Sequence, residues 1–304
     1  MNLPRSQLSP HVAQRHVLAS MSLALAGSLW GTGFLFGKIA MTEMTVAENV
    51  TFRFLTGTII LLPIAIRGWI PYRGKDLGIL LLASAIGVPL QFLIQFRGLQ
   101  LTTVSHASLI VGALPVLLAL SSALFLGERL RYFEWGVLGL SAVGAILIAL
   151  SSGSSAGSPQ PSLHGDALVL FSLCGSVSMI LLSKRLISSH GALPVTASTI
   201  IIGTIMLVLW VELTQPVRFH FLPSAWGAAA AQGLLATAGA YLCWNWGLAH
   251  MPAARAGVFL NLEPVVGTLL GMSLLHERLG SMAVLGGLLI ISAAVYFSLR
   301  PHQG

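Results

Sequence analysis

Residues 98–130, GLQLTTVSHASLIVGALPVLLALSSALFLGERL, and residues 247–279, GLAHMPAARAGVFLNLEPVVGTLLGMSLLHERL, share one pattern. When the chain is shifted by 149 positions, the distance from Pro115 to Pro264, Gly-Leu falls on Gly-Leu, alanine on alanine and Glu-Arg-Leu on Glu-Arg-Leu. One such match arises easily by chance, but the whole set at a single spacing does not. The sequence therefore contains two repeats, which we place at residues 19–150 and 165–299.

The composition indicates that both repeats lie in a membrane. Hydrophobic residues make up 55% of the 304 residues and charged residues only 8%, whereas a soluble domain carries about a quarter charged residues. The net charge of +7 comes from 16 Lys and Arg in short, separated clusters. Because these clusters form no basic stripe, the sequence predicts no nucleic-acid partner. The lipid bilayer is the predicted surrounding.

Ten stretches are long and apolar enough to cross a bilayer, which takes about 20 residues of helix. They are Ala19–Ala40, Ala47–Ile66, Leu77–Gly98, Ser105–Leu126, Phe133–Leu150, Gly165–Ser183, Pro194–Leu213, Ala225–Leu248, Ala253–Leu275 and Met282–Leu299. Each repeat holds five of them, and five is odd, so the second repeat must enter the membrane upside down. We predict an all-α membrane protein with ten transmembrane helices in two inverted five-helix repeats. The predicted tails are 1–18 and 300–304, and the predicted linker is 151–164.

The positive charges set the predicted orientation. With the amino terminus inside, eleven of the 16 Lys and Arg residues fall on the inner side, one (Arg53) lies within a span, and four fall on the outer side: Lys38, Arg97, Arg218 and Arg278. Both termini are therefore predicted to be cytoplasmic, in the inner or plasma membrane of the cell.

A resemblance to a known family rests on a few motifs: Trp30-Gly31, Lys38, Arg53, and the paired signatures Ala107–Pro115–Glu128 and Ala256–Pro264–Glu277. Over roughly residues 19–299 the chain resembles the EamA-type branch of the drug/metabolite transporter superfamily. The resemblance implies ten helices in two inverted repeats around a central cavity. It also implies export of amino acids or related metabolites.

The sequence predicts a transporter that is driven by a gradient. Gly37-Lys38 resembles the end of a phosphate-binding loop, but Ile39 stands where Ser or Thr must hold magnesium, so no ATPase is predicted. We expect a secondary transporter of a small organic solute, with no cofactor or metal, and a homodimer is possible. A non-transporting membrane sensor or partner protein is the alternative. A lipid-modifying enzyme is less favoured, because no cluster of His, Asp or Cys lies at one interface.

Charges within the spans mark the candidate site, since each is costly in lipid. Glu263 lies about 15 Å into the ninth span, at 1.5 Å per residue, and has no acidic counterpart in the first repeat, where Leu114 stands. Glu263 could bind a cationic substrate group or a coupling proton, with Arg53 facing a carboxylate. Alternatively, Arg53 and Glu263 pair structurally. Asn261, two residues before Glu263, is a further candidate.

Aromatic residues and prolines complete the set of candidates. Trp30 lies deep in the first span and is a candidate binding residue, as is Asn245 in Trp244-Asn245-Trp246. The two tryptophans of that motif are predicted to belong to the interfacial belt. Three prolines inside spans are predicted to kink their helices and to shape the cavity or act as hinges: Pro89, Pro115 and Pro264.

Reporter fusions test the predicted orientation. A reporter inserted at Ser154 and one fused to the carboxyl terminus should give opposite signals, the terminal fusion being cytoplasmic, because positive charges are retained inside. Alkaline phosphatase and green fluorescent protein activities provide the measurement. A carboxyl terminus on the outer side would show that the number of spans is wrong.

Overall fold

A computed structural model describes residues 10–68, 70–125, 132–151, 161–250 and 257–299, and every regular element in these ranges is helical. Most of the predicted linker, the tail 300–304, and the motif residues Glu128 and Ala256 lie outside the described residues. The first half contains α1 (Pro10–Ala40), α2 (Val46–Arg67), α3 (Gly74–Ala85), a π-helical segment (Ile86–Leu90), α4 (Gln91–Leu101), α5 (Val104–Val111), α6 (Leu114–Phe125) and α7 (Tyr132–Ala149).

The second half follows the same order of elements. It contains α8 (Leu163–His190), α9 (Ala192–Thr214), α10 (Pro223–Ala231), a π-helical segment (Gln232–Gly239), α11 (Ala240–His250), a 3₁₀ segment (Gly257–Asn261), α12 (Leu262–Leu274) and α13 (Ser281–Leu299). In both halves the third predicted span therefore carries a π-helical segment, at positions that overlap after the 149-residue shift. Only the first of the two contains a proline, Pro89.

The described helices identify a multi-pass membrane protein. Five are long and apolar enough to cross a membrane, and four more are shorter and apolar. The five are Val17–Ala40, Val46–Arg67, Gly74–Leu101, Leu163–Ile187 and Ala192–Thr214. The shorter four are Val104–Leu118, Tyr132–Ile148, Phe259–Leu274 and Ser281–Ala293.

The two spans with the repeated proline are broken helices, which corrects the prediction of a kink inside a continuous helix. In the first repeat α5 ends at Val111 and α6 begins at Leu114; in the second, a 3₁₀ segment precedes α12. Pro115 and Pro264 therefore lie in the first turn of the helix after the break, where a missing N–H removes no helical hydrogen bond. Pro89 lies within a π-helical segment. A hinge or cavity-shaping role for the prolines stays a prediction.

The two breaks lie against each other. A side chain on Gly112, at the end of α5, would lie 3.3 Å from Cγ of Pro264. A side chain on Gly267, one turn further along α12, would collide with Ser108 of α5. Small residues allow this approach of two helix backbones in lipid. The discontinuous segments of the two halves thus cross where each is interrupted.

Contacts between the halves are reciprocal. Gly98 of α4 packs against Gly165 and Val169 of α8, whereas its repeat counterpart Gly247 of α11 packs against Leu23 of α1. The third span of each half therefore packs against the first span of the other half. The buried apolar core extends across these crossings and includes residues of both halves.

The crossing of α4 and α8 can be tested with one added methyl group. A Cβ at Gly98 would lie 2.7 Å from the Gly165 carbonyl oxygen, so we expect Gly98→Ala to destabilise the fold by about 1–3 kcal/mol. Gly78 has no neighbour within 4 Å of the corresponding position. Gly78→Ala should therefore leave stability unchanged or raise it by up to about 1 kcal/mol, the helix-propensity gain. Thermal unfolding in detergent measures both variants. Equal melting temperatures would contradict this packing.

Candidate functional site

Arg53 of α2 is buried in the centre of the bundle, with 3% of its surface exposed. Its Nε donates a hydrogen bond to Thr237 Oγ1 at 2.8 Å, and a terminal nitrogen donates to the Ala236 carbonyl at 3.3 Å. Both partners belong to the second π-helical segment, and such segments occur frequently at functional sites. Burying a charge is costly unless hydrogen-bonding groups surround it. The hydrogen-bond partners of Arg53 are a hydroxyl and a carbonyl group, both neutral.

Three phenylalanine rings also pack around the Arg53 guanidinium. Its central carbon lies 4.5 Å from the ring centre of Phe92, with Phe54 and Phe96 slightly farther away. The Phe92 and Phe54 rings are themselves packed edge to face at 4.8 Å. The faces of these rings attract the cation, and the attraction is strong where water is excluded. Among the described residues, the guanidinium forms no ion pair.

Glu263 lies in the first turn of α12, directly after the 3₁₀ segment. The positive end of the helix dipole favours a carboxylate there. Glu263 interacts electrostatically with Arg53 and Tyr241. Nevertheless, the ion pairs formed by the described residues do not include one between Glu263 and Arg53. The guanidinium and the carboxyl group are therefore near each other without forming an ion pair.

Two tryptophan rings and one tyrosine ring pack on one another near the start of α12. Trp30 packs edge to face on Tyr241 with ring centres 5.5 Å apart, and its ring centre lies 5.2 Å from that of Trp244. The residue after Trp30, Gly31, packs against the backbone of Glu263. We call the set Arg53, Glu263, Trp30, Tyr241, Trp244 and Thr237 the central cluster. It combines residues of α1, α2, α11, α12 and the second π-helical segment.

The sequence candidates are distributed unevenly around the central cluster. Trp30, Arg53 and Glu263 belong to it, and Asn261 is buried two residues before Glu263. Asn245 instead donates to Thr196 Oγ1 at 2.5 Å and thereby joins α11 to α9.

Several members of the central cluster were missed by sequence reasoning. The sequence predicts Trp244 in the interfacial belt, but its ring packs on Trp30, whereas Trp246 is 38% exposed. Tyr241 and Thr237 were not singled out. The spacing of Tyr241 and Trp244, three residues apart on one face of a helix, was the available signal.

A second polar cluster lies at the end of the bundle where α1 ends. Lys38 Nζ donates to the carbonyl oxygens of Leu99 at 2.7 Å and Thr102 at 2.5 Å. A lysine near the end of a span often extends to the lipid headgroups. Lys38 instead binds the carboxyl end of α4. Glu277 accepts hydrogen bonds from the backbone nitrogens of Val104 and Ser105, both at 2.8 Å.

These two charges stabilise opposite helix ends at one corner. A lysine at the carboxyl end of α4 and a glutamate at the amino end of α5 each complement the local helix dipole. Lys38, Thr102, Thr103 and Glu277 line a cavity of ≈ 340 Å³. We call Lys38, Thr102, Glu277 and the start of α5 the corner cluster. Among the described residues, no group of three His, Cys, Asp or Glu side chains is arranged to hold a metal ion.

The proteins that are similar to this chain include named transporters, in agreement with its apolar helices. The chain is 31% identical over 271 residues to the uncharacterized transporter YdeK of Bacillus subtilis, covering 85% of this chain and 87% of that protein. It is 24% identical to a protein named probable terminal-alkyne amino-acid exporter of Streptantibioticus cattleyicolor, covering 88% and 86%. A solved crystal structure with 17% identity matches 94% of this chain and 97% of its own with a TM-score of 0.61, which shows a shared fold.

The family assignment rests on both halves of the chain. The EamA-like transporter family matches residues 18–150 and again residues 163–299. The names of the family and of the relatives indicate transmembrane transport rather than enzyme catalysis. With its apolar helices and its two-repeat architecture, the chain belongs to the EamA-like transporter family.

Proposed function

We propose that this protein is a secondary transporter that exports amino acids or related zwitterions across the cytoplasmic membrane. In this proposal ten transmembrane helices form two inverted repeats, both termini are cytoplasmic, and the substrate binds at the central cluster. Energy comes from an ion or substrate gradient.

One observation supports this function above all: the Arg53 guanidinium and the Glu263 carboxyl group interact electrostatically without forming an ion pair. The Arg53 guanidinium matches the geometry of a substrate carboxylate, which it can bind with two parallel hydrogen bonds. The Glu263 carboxylate complements an ammonium group. An α-amino acid carries both groups a few ångströms apart, so it would bridge the two residues.

The aromatic residues add a place for the substrate side chain. Trp30, Trp244 and Tyr241 form a group of packed rings, and Gly31, next to Trp30, contacts the backbone of Glu263. Binding sites for small molecules combine an apolar lining with a few polar groups that fix orientation. A substrate with an apolar or aromatic side chain would bury it against these rings.

The inverted arrangement is supported by where helices begin and end. Lys38, near the carboxyl end of α1, binds the Thr102 carbonyl, and Asp166, near the amino end of α8, accepts a hydrogen bond from the Thr102 hydroxyl. The first helix of one repeat therefore ends where the first helix of the other begins. Inverted repeats with discontinuous helices at their interface are typical of secondary transporters.

Flux in proteoliposomes tests the function. Purified protein reconstituted with a pool of labelled amino acids should exchange at least one of them across the bilayer, because the central cluster complements a zwitterion. Liposomes without protein are the control. The absence of exchange for the whole pool would favour a non-transporting membrane protein.

Glu263→Gln tests the role of the carboxylate. The substitution keeps the size of the side chain and removes its charge, so the protein should fold. Loss of a charge-assisted hydrogen bond to the ammonium group, about 1.5–3 kcal/mol, should lower the exchange rate at subsaturating substrate at least tenfold. Glu212→Gln, at the exposed end of α9, is the matched control and should exchange normally.

Two outcomes would contradict this role of Glu263. Full exchange by well-folded Glu263→Gln would remove the carboxylate from substrate binding. If instead Glu263 serves only to compensate Arg53, Glu263→Gln should unfold more easily, since a buried charge would lose its partner. Replacing Arg53 by Gln as well should then restore both expression and exchange.

Arg53→Lys tests the guanidinium. Lysine keeps the positive charge but cannot donate to Thr237, Ala236 and a substrate carboxylate in the fixed planar geometry of arginine. We expect the KM for exchange to rise about tenfold, while size-exclusion chromatography shows a normally folded protein. An unchanged KM would place the substrate carboxylate elsewhere.

A further inference from the structure

Glu277, which follows the last turn of α12, holds the beginning of α5 in the other half of the chain. Its Oε1 accepts a hydrogen bond from the backbone nitrogen of Val104. Its Oε2 accepts hydrogen bonds from the backbone nitrogen of Ser105 and from Ser105 Oγ, the latter at 2.6 Å. Glu277 is 6% exposed and Ser105 is fully buried. One carboxylate thus makes three hydrogen bonds between the two halves.

Asp166, in the first turn of α8, holds the same part of the first half at a second point. It accepts a hydrogen bond from Thr102 Oγ1 at 2.5 Å, and His106 Nδ1 lies 3.1 Å from its other oxygen. Thr102 and His106 lie on either side of the two residues that Glu277 binds. Two carboxylates of the second half therefore bind residues 102–106, where α4 joins α5. We call Asp166 and Glu277 the clamp.

The backbone after α12 places Glu277 in this position. His276 adopts a left-handed conformation with φ 54°, and the Glu277 nitrogen donates to the Gly271 carbonyl at 3.2 Å. A Cβ on Gly271 would lie 2.6 Å from Glu277 Oε2 and 2.7 Å from Ser105 Oγ. A left-handed conformation is uncommon for a residue other than glycine and costs free energy. The chain therefore turns back so that Glu277 passes over Gly271 to reach α5.

The clamp borders a cavity at this end of the bundle. Glu277 and Thr102 line the cavity of ≈ 340 Å³ together with Lys38, Thr42 and Gln100. Thr42 and Gln100 are exposed, so the cavity opens to the surface. When the hydrogen bonds of Glu277 break, water in the cavity can replace them, and such an exchange has a small net free energy. Contacts of this kind can break and form repeatedly.

Two helices connect this cavity to the central cluster. Trp30 of the central cluster and Lys38 at the cavity are eight residues apart in α1, which is about 12 Å along a helix. In α12, Glu263 and Gly271 are also eight residues apart. The clamp therefore lies about 12 Å from the central cluster, toward this surface of the protein.

We propose that the clamp is a gate, which closes this end of the bundle and opens to let substrate pass between the central cluster and the surface. The described conformation is the closed one, in which Asp166 and Glu277 fix residues 102–106 to the second half. In the open conformation these hydrogen bonds are broken, and water or substrate takes their place. With the amino terminus in the cytoplasm, this end faces the outside, so the gate controls the release of an exported substrate.

A permanent helix cap is the alternative to a gate. Glu277 lies at the amino end of α5, where a carboxylate stabilises any helix. A cap stays bound in every conformation of a transport cycle, whereas a gate must separate once in each cycle. Separation at this position, rather than stability, distinguishes the two.

A reversible cross-link tests whether separation is required. Ser105→Cys combined with Gly271→Cys places two thiols where Glu277 binds α5, since a Cβ at position 271 would be 2.7 Å from Ser105 Oγ. Cys174 and Cys243, the two cysteines of the chain, are replaced by Ala. We expect the oxidised variant in proteoliposomes to exchange the amino-acid pool at least tenfold more slowly than the same variant after reduction, which is its control. Equal rates would overturn the gate.

A distance measurement tests the gate without transport. In the cysteine-free background, spin labels at Gln100→Cys and Ser281→Cys, both exposed at this end, report the separation of α4 from α13. Glu277→Gln removes the charge that binds α5 and keeps the size of the side chain. In nanodiscs, we expect double electron–electron resonance to show a longer distance in at least threefold more molecules of Glu277→Gln than of the wild type. Glu43→Gln, at an exposed glutamate of the same end, is the control and should match the wild type.

The two measurements separate the gate from the transport function on which it rests. An unchanged distance distribution in folded Glu277→Gln would overturn the gate, whether or not the wild type exchanges amino acids. If Glu277→Gln does not fold, Asp166→Asn replaces it, with the same expected shift to longer distances. If the wild type exchanges no member of the pool, the transport function is refuted and the distance measurement alone decides the gate.

Discussion

The hydrocarbon core of a membrane offers no hydrogen-bond partners, so every polar group that the chain carries into it must be satisfied by the chain itself. This constraint explains where the irregular backbone lies. The breaks before α6 and α12 face each other, with Gly112 against Pro264, and are covered by protein. It also explains the partners of the buried charges. Arg53 binds the oxygens of a π-helical segment, and Lys38 binds carbonyls at the end of α4.

The ionisable side chains within the bundle are of two kinds. Lys38 and Glu277 use their hydrogen-bonding capacity on helix ends, and they hold the α4–α5 corner in one geometry. Arg53 and Glu263 differ, because the guanidinium and the carboxyl group interact electrostatically without forming an ion pair. In the proposed function, a zwitterionic substrate binds between these two groups.

The two repeats share an arrangement of helices but not the side chains of the candidate site. Their breaks, π-helical segments and close crossings at Gly98 and Gly247 correspond. The charged and aromatic residues of the central cluster do not, since Leu114 occupies the position of Glu263 in the first repeat. A repeated framework of helices can therefore carry different side chains in its two halves.

The sequence by itself determined the class, the repeat and the family, because hydrophobic composition, span length and motif spacing are properties of the linear chain. It also identified Arg53, Glu263 and Trp30 as candidates, because a charge or a large ring inside a span stands out against its neighbours. Only the tertiary structure decided which residues meet. Arg53 and Thr237 are 184 positions apart, and their contact depends on how α2 packs against the second π-helical segment. The broken helices and the contacts of Lys38 with the end of α4 also depend on packing between helices, which no local pattern encodes.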